Sequence, residues 1–176
     1  EGIRAETTLE SLGKLRPAFT KEGVLTAGNS SQISDGAAAV IVASQAAVEK
    51  YGLTPIAKII GGTWAGGESW RFPEVPISAT KKLLEKKGMS ISDFDLFENN
   101  EAFSVSNMLF HTMLDVPHDK LNVNGGAISL GHPLGCTGAK LSVQLFNEMK
   151  RRKNKYGLVT MCVGTGQGAA GIYELL

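Results

Sequence analysis

Cysteine is scarce in this 176-residue chain. Only Cys136 and Cys162 are present, too few for a disulfide framework and, by themselves, for a four-ligand zinc site. Unpaired thiols fit a reducing compartment, and a cytoplasmic location is expected. Charge of one sign is equally lacking: 18 Lys and Arg stand against 17 Asp and Glu. A net charge of +1 gives no reason to expect nucleic acid or a membrane as a partner. No apolar stretch approaches the roughly 18 residues that a membrane span needs. The opening segment from Glu1 to Glu10 mixes acids with a glycine, has no apolar run and does not read as a secretory signal. No Met leads the chain, so a fragment or a processed product is expected. No repeat of 20–50 residues is visible. Disorder is excluded by 43% hydrophobic against 20% charged residues.

Glycine, by contrast, is plentiful. Its 21 residues gather in the second half as GG, GxG and GHPxG clusters, where a backbone can approach another group closely. Coarse periodicity gives the rest of the organisation. Thr8 to Leu15 suits one or two helical turns, and breakers follow at Pro17, Gly23 and Gly28. The continuous apolar run from Gly36 to Ser44 reads as a strand buried on both faces, although a helix has the same signature. Gln45 to Lys50 suits a short helix stopped at Gly52, and Ile56 to Ile60 a second strand. Ile77 to Lys87 has the spacing of an amphipathic surface helix terminated by Gly88. Phe94 to Phe97 is a brief strand before a polar corner, Glu98 to Glu101, and Ala102 to Leu114 returns to helical spacing.

Pro133 fits the first position of a long helix with an apolar stripe of Leu134, Leu141, Leu145, Phe146 and Met149. The runs from Tyr156 to Val163 and from Ala169 to Leu176 read as a hairpin joined by Gly164 to Gly168. Alternating strands and helices that finish in a hairpin predict an α/β fold with a mixed sheet covered by helices.

Three places could carry chemistry. His132, before Pro133, is expected at the N-terminal edge of the long helix, where the dipole favours a neutral imidazole. A histidine serving only as a cap or a packed core residue would have the same sequence signature. Cys162 ends an apolar strand two residues before a glycine turn whose N–H groups could face an oxyanion; an inert buried thiol is the alternative. Cys136 reads as a small residue packed at a crowded helix start. Asn99-Asn100-Glu101 marks a strand-to-helix corner, the place where ligands collect in α/β sheets, and equally a helix cap. The five cations among residues 150–155 read as a solvated helix end favoured by the macrodipole. Gly164-x-Gly166-x-Gly168 leads into a strand rather than a helix, so it is not a dinucleotide fingerprint.

Taken together, these blocks resemble the thiolases, coenzyme A-dependent acyltransferases. The resemblance is carried by Asn100-Glu101-Ala102-Phe103, by the long run from Gly125 to Gly135, and by Cys162-Val163-Gly164, in that order. Thr26 to Ser31, running into Asp35 to Ala39, belongs to the same pattern. The resemblance spans essentially the whole chain and implies the second half of a subunit about twice this length. It implies a thiolase-like layered fold, with residues 1–35 as the tail of the loop domain that covers coenzyme A and 36–176 as the C-terminal domain.

The implied activity is acyl transfer between coenzyme A and an acyl-CoA. It runs as Claisen condensation to, or thiolytic cleavage of, a 3-ketoacyl-CoA such as acetoacetyl-CoA, as in fatty acid metabolism. His132 would activate a nucleophilic cysteine that belongs to the family's first half and has no match here. Asn100 would hold a water of the first oxyanion hole. Cys162 would act as general base and acid, and the Gly164 N–H would serve a second oxyanion hole. Ser31 and Ala27 match positions along the pantetheine arm, while Ala102 and Phe103 lie near the acyl end. No cofactor or metal is implied; coenzyme A thioesters are substrates. The implied partners are the N-terminal thiolase half and, in the complete enzyme, further copies as a homodimer or homotetramer. Residues 70–75 are bulkier and more charged than the family's usual Met-Gly-x-Gly-Pro-like stretch, which bears on acyl-chain preference. A non-catalytic acyl-CoA-binding or scaffold module, and a natural split subunit, are the alternatives.

Overall fold

Side chains alternate across a strand, and here both faces of the sheet are apolar. In the computed structural model, which describes residues 3–176, four strands run in the order β1-β4-β3-β2. They are β1 (Ala57–Gly66), β2 (Leu96–Asn99), β3 (Tyr156–Val163) and β4 (Gln167–Leu175). Pairs β1/β4 and β3/β4 are antiparallel, and β2/β3 is parallel, so the sheet is mixed.

Phe97, Leu158, Ala170 and Ile172 turn to one face and pack with Ile77, Leu83, Phe110 and Leu114. Those partners belong to α3 (Val75–Lys87) and α4 (Ser104–Leu114). Their immediate neighbours Leu96 and Val159, with Tyr173, turn to the other face and meet Leu141, Leu145 and Met149 of α6 (Thr137–Arg152). The result is three layers: helices, sheet, helix. Period-2 alternation explains how adjacent residues of one strand enter two separate cores.

Helices α1 (Leu9–Gly13), α2 (Gln45–Tyr51) and α5 (Ala127–Leu130) are short. The expected stop at Gly88 is observed as a left-handed C-cap. At the far end of α6, Glu148 is buried and ion-paired with Arg151 and Arg152. Arg151 leads the groups that hold its carboxyl down at about 2. Part of the predicted basic helix end therefore serves as partners for an internal acid.

Four expectations change. The run from Gly36 to Ser44 forms no regular element and is exposed throughout, with Ile41 92% and Val42 72% accessible. A strand needs a ladder partner, and among the described residues this run has none. The long helix begins at Thr137 rather than Pro133, and Leu134, 71% accessible, leaves the apolar stripe. Glu98 and Asn99 are not corner residues but buried members of β2. The hairpin turn is three residues, Gly164 to Gly166, because Gln167 and Gly168 already pair with Val163 and Cys162. Glu1 and Gly2, part of the opening segment read from sequence, lie outside the described residues.

Candidate active site

The parallel pairing of β2 with β3 brings two candidate residues to one end of the sheet. Asn99 is level with Thr160, and the Asn100 N–H donates to the Thr160 carbonyl at 3.0 Å. Cys162 lies two residues further along β3 in the same direction. The C-terminal ends of parallel strands are where α/β sheets expose ligand-binding groups.

Asn99 is held from both sides. Its N–H donates to Asn122 Oδ1 at 2.8 Å, and Asn122 Nδ2 donates to its carbonyl at 2.8 Å. Its own Nδ2 reaches Asn107 Oδ1 at 2.6 Å. Both the N–H and the carbonyl of the strand residue before Asn100 are therefore bonded, while Asn99 Oδ1 has no partner among the described residues.

Asn100 meets His132 directly, with Nδ2 3.2 Å from His132 Nε2. Asn100 Oδ1 is buried and has no hydrogen-bond partner among the described residues. His132 sits in the segment between α5 and α6, buried, five residues before the helix begins. Its predicted place at the helix edge is thus corrected. The imidazole pKa is lowered first by burial and then by the nearby Lys140 charge, rather than by a helix terminus. Lys140 Nζ donates to the Gly131 carbonyl at 2.8 Å. Gly131 adopts φ 90°, and a Cβ there would stand 2.3 Å from Ser34 Oγ, so both conformation and space demand glycine. Thr137 Oγ1 lies 2.7 Å from His132 Nδ1 and 3.0 Å from the Pro133 carbonyl.

Cys162 is a buried free thiol, and burial pushes its pKa up. Beyond it, Gly164 is exposed, and a Cβ added there would meet nothing within 4 Å. Gly164 therefore lies on an open turn.

The strap that precedes the apolar run crosses the same region. His132 N–H donates to the Gln32 carbonyl at 3.1 Å, and Ser31 N–H to the Ala102 carbonyl at 3.0 Å. Phe103 bridges to Ser30 and packs with Phe19 and Phe72 at 5.9 and 5.8 Å between centroids. Ser31, Ala102 and Phe103 thus share one neighbourhood. Ala27 is exposed in the turn before it, a turn tied to α4 where Ser104 N–H donates to the Asn29 carbonyl at 2.9 Å.

Three further residues support the site. Glu101 packs on Gly126, where a Cβ would stand 2.2 Å from its carboxylate. It accepts from Ile128 N at 3.3 Å and from Asn107 Nδ2 at 3.0 Å, which fixes the start of α5 by supplying an acceptor to a free helix N–H. Glu98 accepts from Gln144 Nε2 at 3.2 Å on each oxygen, and burial raises its pKa to about 8. Thr137 is the third. Glu98 and Glu101 stood out in the sequence only as polar corner residues; nothing in periodicity marks Thr137.

Among the described residues no group of three or more His, Cys, Asp or Glu could hold a metal ion, and no helix is long and apolar enough to cross a membrane.

Comparison with known proteins joins these features to a family. The family model of the thiolase C-terminal domain matches residues 53–175, and that of the thiolase N-terminal domain matches residues 1–46. An acetyl-CoA acetyltransferase of Synechocystis sp. is 62% identical over 170 residues, covering 97% of this chain and 43% of that protein. A 3-ketoacyl-CoA thiolase of Bacillus subtilis is 48% identical over 179 residues, covering 99% and 45%. The crystal structure of human mitochondrial 3-ketoacyl-CoA thiolase in complex with CoA superposes with a TM-score of 0.97 at 45% identity. It is covered over 45% of its length by the whole of this chain. The chain spans less than half the length of these relatives, and it belongs to the thiolase family.

Proposed function

We propose that this chain is the C-terminal catalytic half of a thiolase, transferring an acyl group between coenzyme A and an acyl-CoA. One observation carries the reading: Asn100, His132 and Cys162 are buried side chains, and Asn100 bonds His132 at the sheet end that β3 continues to Cys162. Two differently tuned groups are what Claisen chemistry needs. His132, kept neutral by burial and Lys140, accepts the proton of a nucleophilic cysteine supplied by an N-terminal thiolase half. The resulting thiolate attacks the 3-keto carbon. The C2–C3 bond breaks, its electron pair stays on the acetyl-CoA fragment, and the Cys162 thiol protonates that carbanion. Burial keeps Cys162 protonated, which suits an acid for carbon. Coenzyme A then gives its thiol proton to the Cys162 thiolate and attacks the acyl-enzyme thioester; acyl-CoA leaves, and the expelled cysteine thiolate takes back the proton held by His132, a covalent two-step course. Asn100, through a water that it holds, and the Gly164 N–H stabilise developing oxyanions. Ser31 and Ala27 line the pantetheine arm, and Ala102 and Phe103 face the acyl end. No further cofactor takes part, and free Cys136 and Cys162 suit a reducing compartment such as the cytoplasm.

The N-terminal half is also the partner that the exposed run around Ile41 requires, and the complete enzyme would be a homodimer or homotetramer. Thiolysis of acetoacetyl-CoA by the chain alone and with a matching N-terminal half tests the reading. Activity only in the mixture, abolished by His132→Ala and by Cys162→Ala, is expected. No activity in either arm, with coenzyme A still bound, replaces catalysis with an acyl-CoA-binding module.

A further inference from the structure

The hydrogen-bond geometry around His132 determines which ring nitrogen carries its proton. Thr137 Oγ1 has one hydrogen and two close neighbours, the Pro133 carbonyl at 3.0 Å and His132 Nδ1 at 2.7 Å. The carbonyl only accepts, so the hydroxyl hydrogen points to it, the back-bond from a helical threonine to residue i−4. Oγ1 then offers a lone pair to Nδ1, which must be the N–H nitrogen. Nε2 is left with its lone pair, facing the Asn100 amide nitrogen at 3.2 Å, a donor. Both contacts agree on one tautomer. The opposite tautomer would need Thr137 to abandon Pro133 and the Asn100 amide to turn over.

From this chain of bonds we infer that Thr137 is a positioning residue for acyl transfer, holding His132 as the Nδ1–H tautomer so that the Nε2 lone pair, which accepts from the Asn100 amide at rest, is the one that takes the nucleophile's proton. The inference rests on the thiolase reading for its consequence in catalysis, but not for the tautomer itself. The proton accepted at Nε2 leaves an imidazolium whose Nδ1–H still donates to Thr137, so the same bond serves before and after proton transfer.

The test is a long-range proton–nitrogen correlation spectrum of the chain with 15N-labelled histidine, the His132 signals being assigned by their loss in His132→Asn. The parent and Thr137→Ser should show Nδ1 protonated, and Thr137→Val, which keeps the shape without the hydroxyl, should move the proton toward Nε2. A parent spectrum with Nε2 protonated overturns the inference, as does a Val variant that folds and keeps the parent tautomer. Should the Val variant not fold, the parent spectrum still decides. In the mixture with an N-terminal half, Thr137→Val should lower kcat about tenfold at unchanged KM, the factor carried by one neutral hydrogen bond, and Thr137→Ser should restore it. The spectrum reads the tautomer whether or not turnover is obtained, so the failure of the acyltransferase reading would be seen separately.

Discussion

Replacing Glu98 by Gln should make the fold more stable in alkali while leaving it almost unchanged in acid. The carboxyl is buried on β2, and burial raises its pKa from 4.5 to about 8 against the opposing pull of Gln144 and Lys140. Below pH 4.5 both folded and unfolded forms are protonated, and nothing is lost. Between 4.5 and about 8 the unfolded chain ionises and the folded one does not, so stability falls as pH rises; above that range the loss levels off. At ~1.36 kcal/mol per pH unit, the loss between pH 5 and pH 9 is at most about 4 kcal/mol. Gln keeps an oxygen for Gln144 Nε2 and cannot ionise, so its variant escapes this loss. Urea unfolding of both proteins at pH 5 and pH 9 measures the double difference. Because shared titrations cancel, a double difference under about 1 kcal/mol, less than one pH unit's worth, refutes the burial argument.

In the reconstituted mixture, the acidic limb of the kcat/KM profile should lie below pH 6.5, the ordinary imidazole value. Lys140→Met should move it upward by removing a cation; an unmoved limb contradicts the assigned cause. Leu145→Ala empties a fully buried position against the sheet and should cost about 3 kcal/mol in urea unfolding; a loss within experimental scatter would mean that α6 does not seal that core. Gly126→Ala drives a methyl into Glu101 and should lower Tm, but far less in a Glu101→Ala background; additive losses would show that the two residues are uncoupled. Iodoacetamide at neutral pH should modify Cys162 more slowly than the half-buried Cys136, since burial both hides the Cys162 sulfur and raises its pKa; equal rates by mass spectrometry would argue against that burial.

Helix α3 and its Gly88 stop were readable because spacing and a C-cap agree locally. The layered mixed sheet was readable because the apolar runs have strand length. His132, Asn100 and Cys162 stood out as chemical residue types beside glycine clusters, and their family blocks fixed their order. What stayed hidden depends on partners distant in sequence. The Gly36–Ser44 run has strand composition, but composition does not say whether a pairing partner lies in the same chain. Glu98 looked like part of a polar corner, since nothing in the sequence shows that α6 covers it with Gln144. The helix start at Thr137 was obscured by Pro133, which suits a first turn yet sits here before a separate turn. Thr137 itself has the look of an ordinary helix residue until its hydroxyl is seen between a carbonyl and an imidazole.

The pairing of Asn122 with Asn99 has a consequence for the limits of the sheet. A side-chain amide carries the same donor and acceptor as a peptide group, and here it occupies the outer edge of β2 in the manner of one residue of a fifth strand. Asn122 N–H adds a bond to the Phe97 carbonyl at 2.9 Å. That margin is therefore closed by one residue through its side-chain amide and its main-chain N–H, which no neighbouring strand can displace without breaking all three bonds. Extension by strand addition is left to β1, at the opposite margin, remote from the reacting groups. An Asn122→Asp exchange, which alters one atom and turns a donor into an acceptor facing a carbonyl, would reopen the margin next to the strand end that holds Asn100 in place.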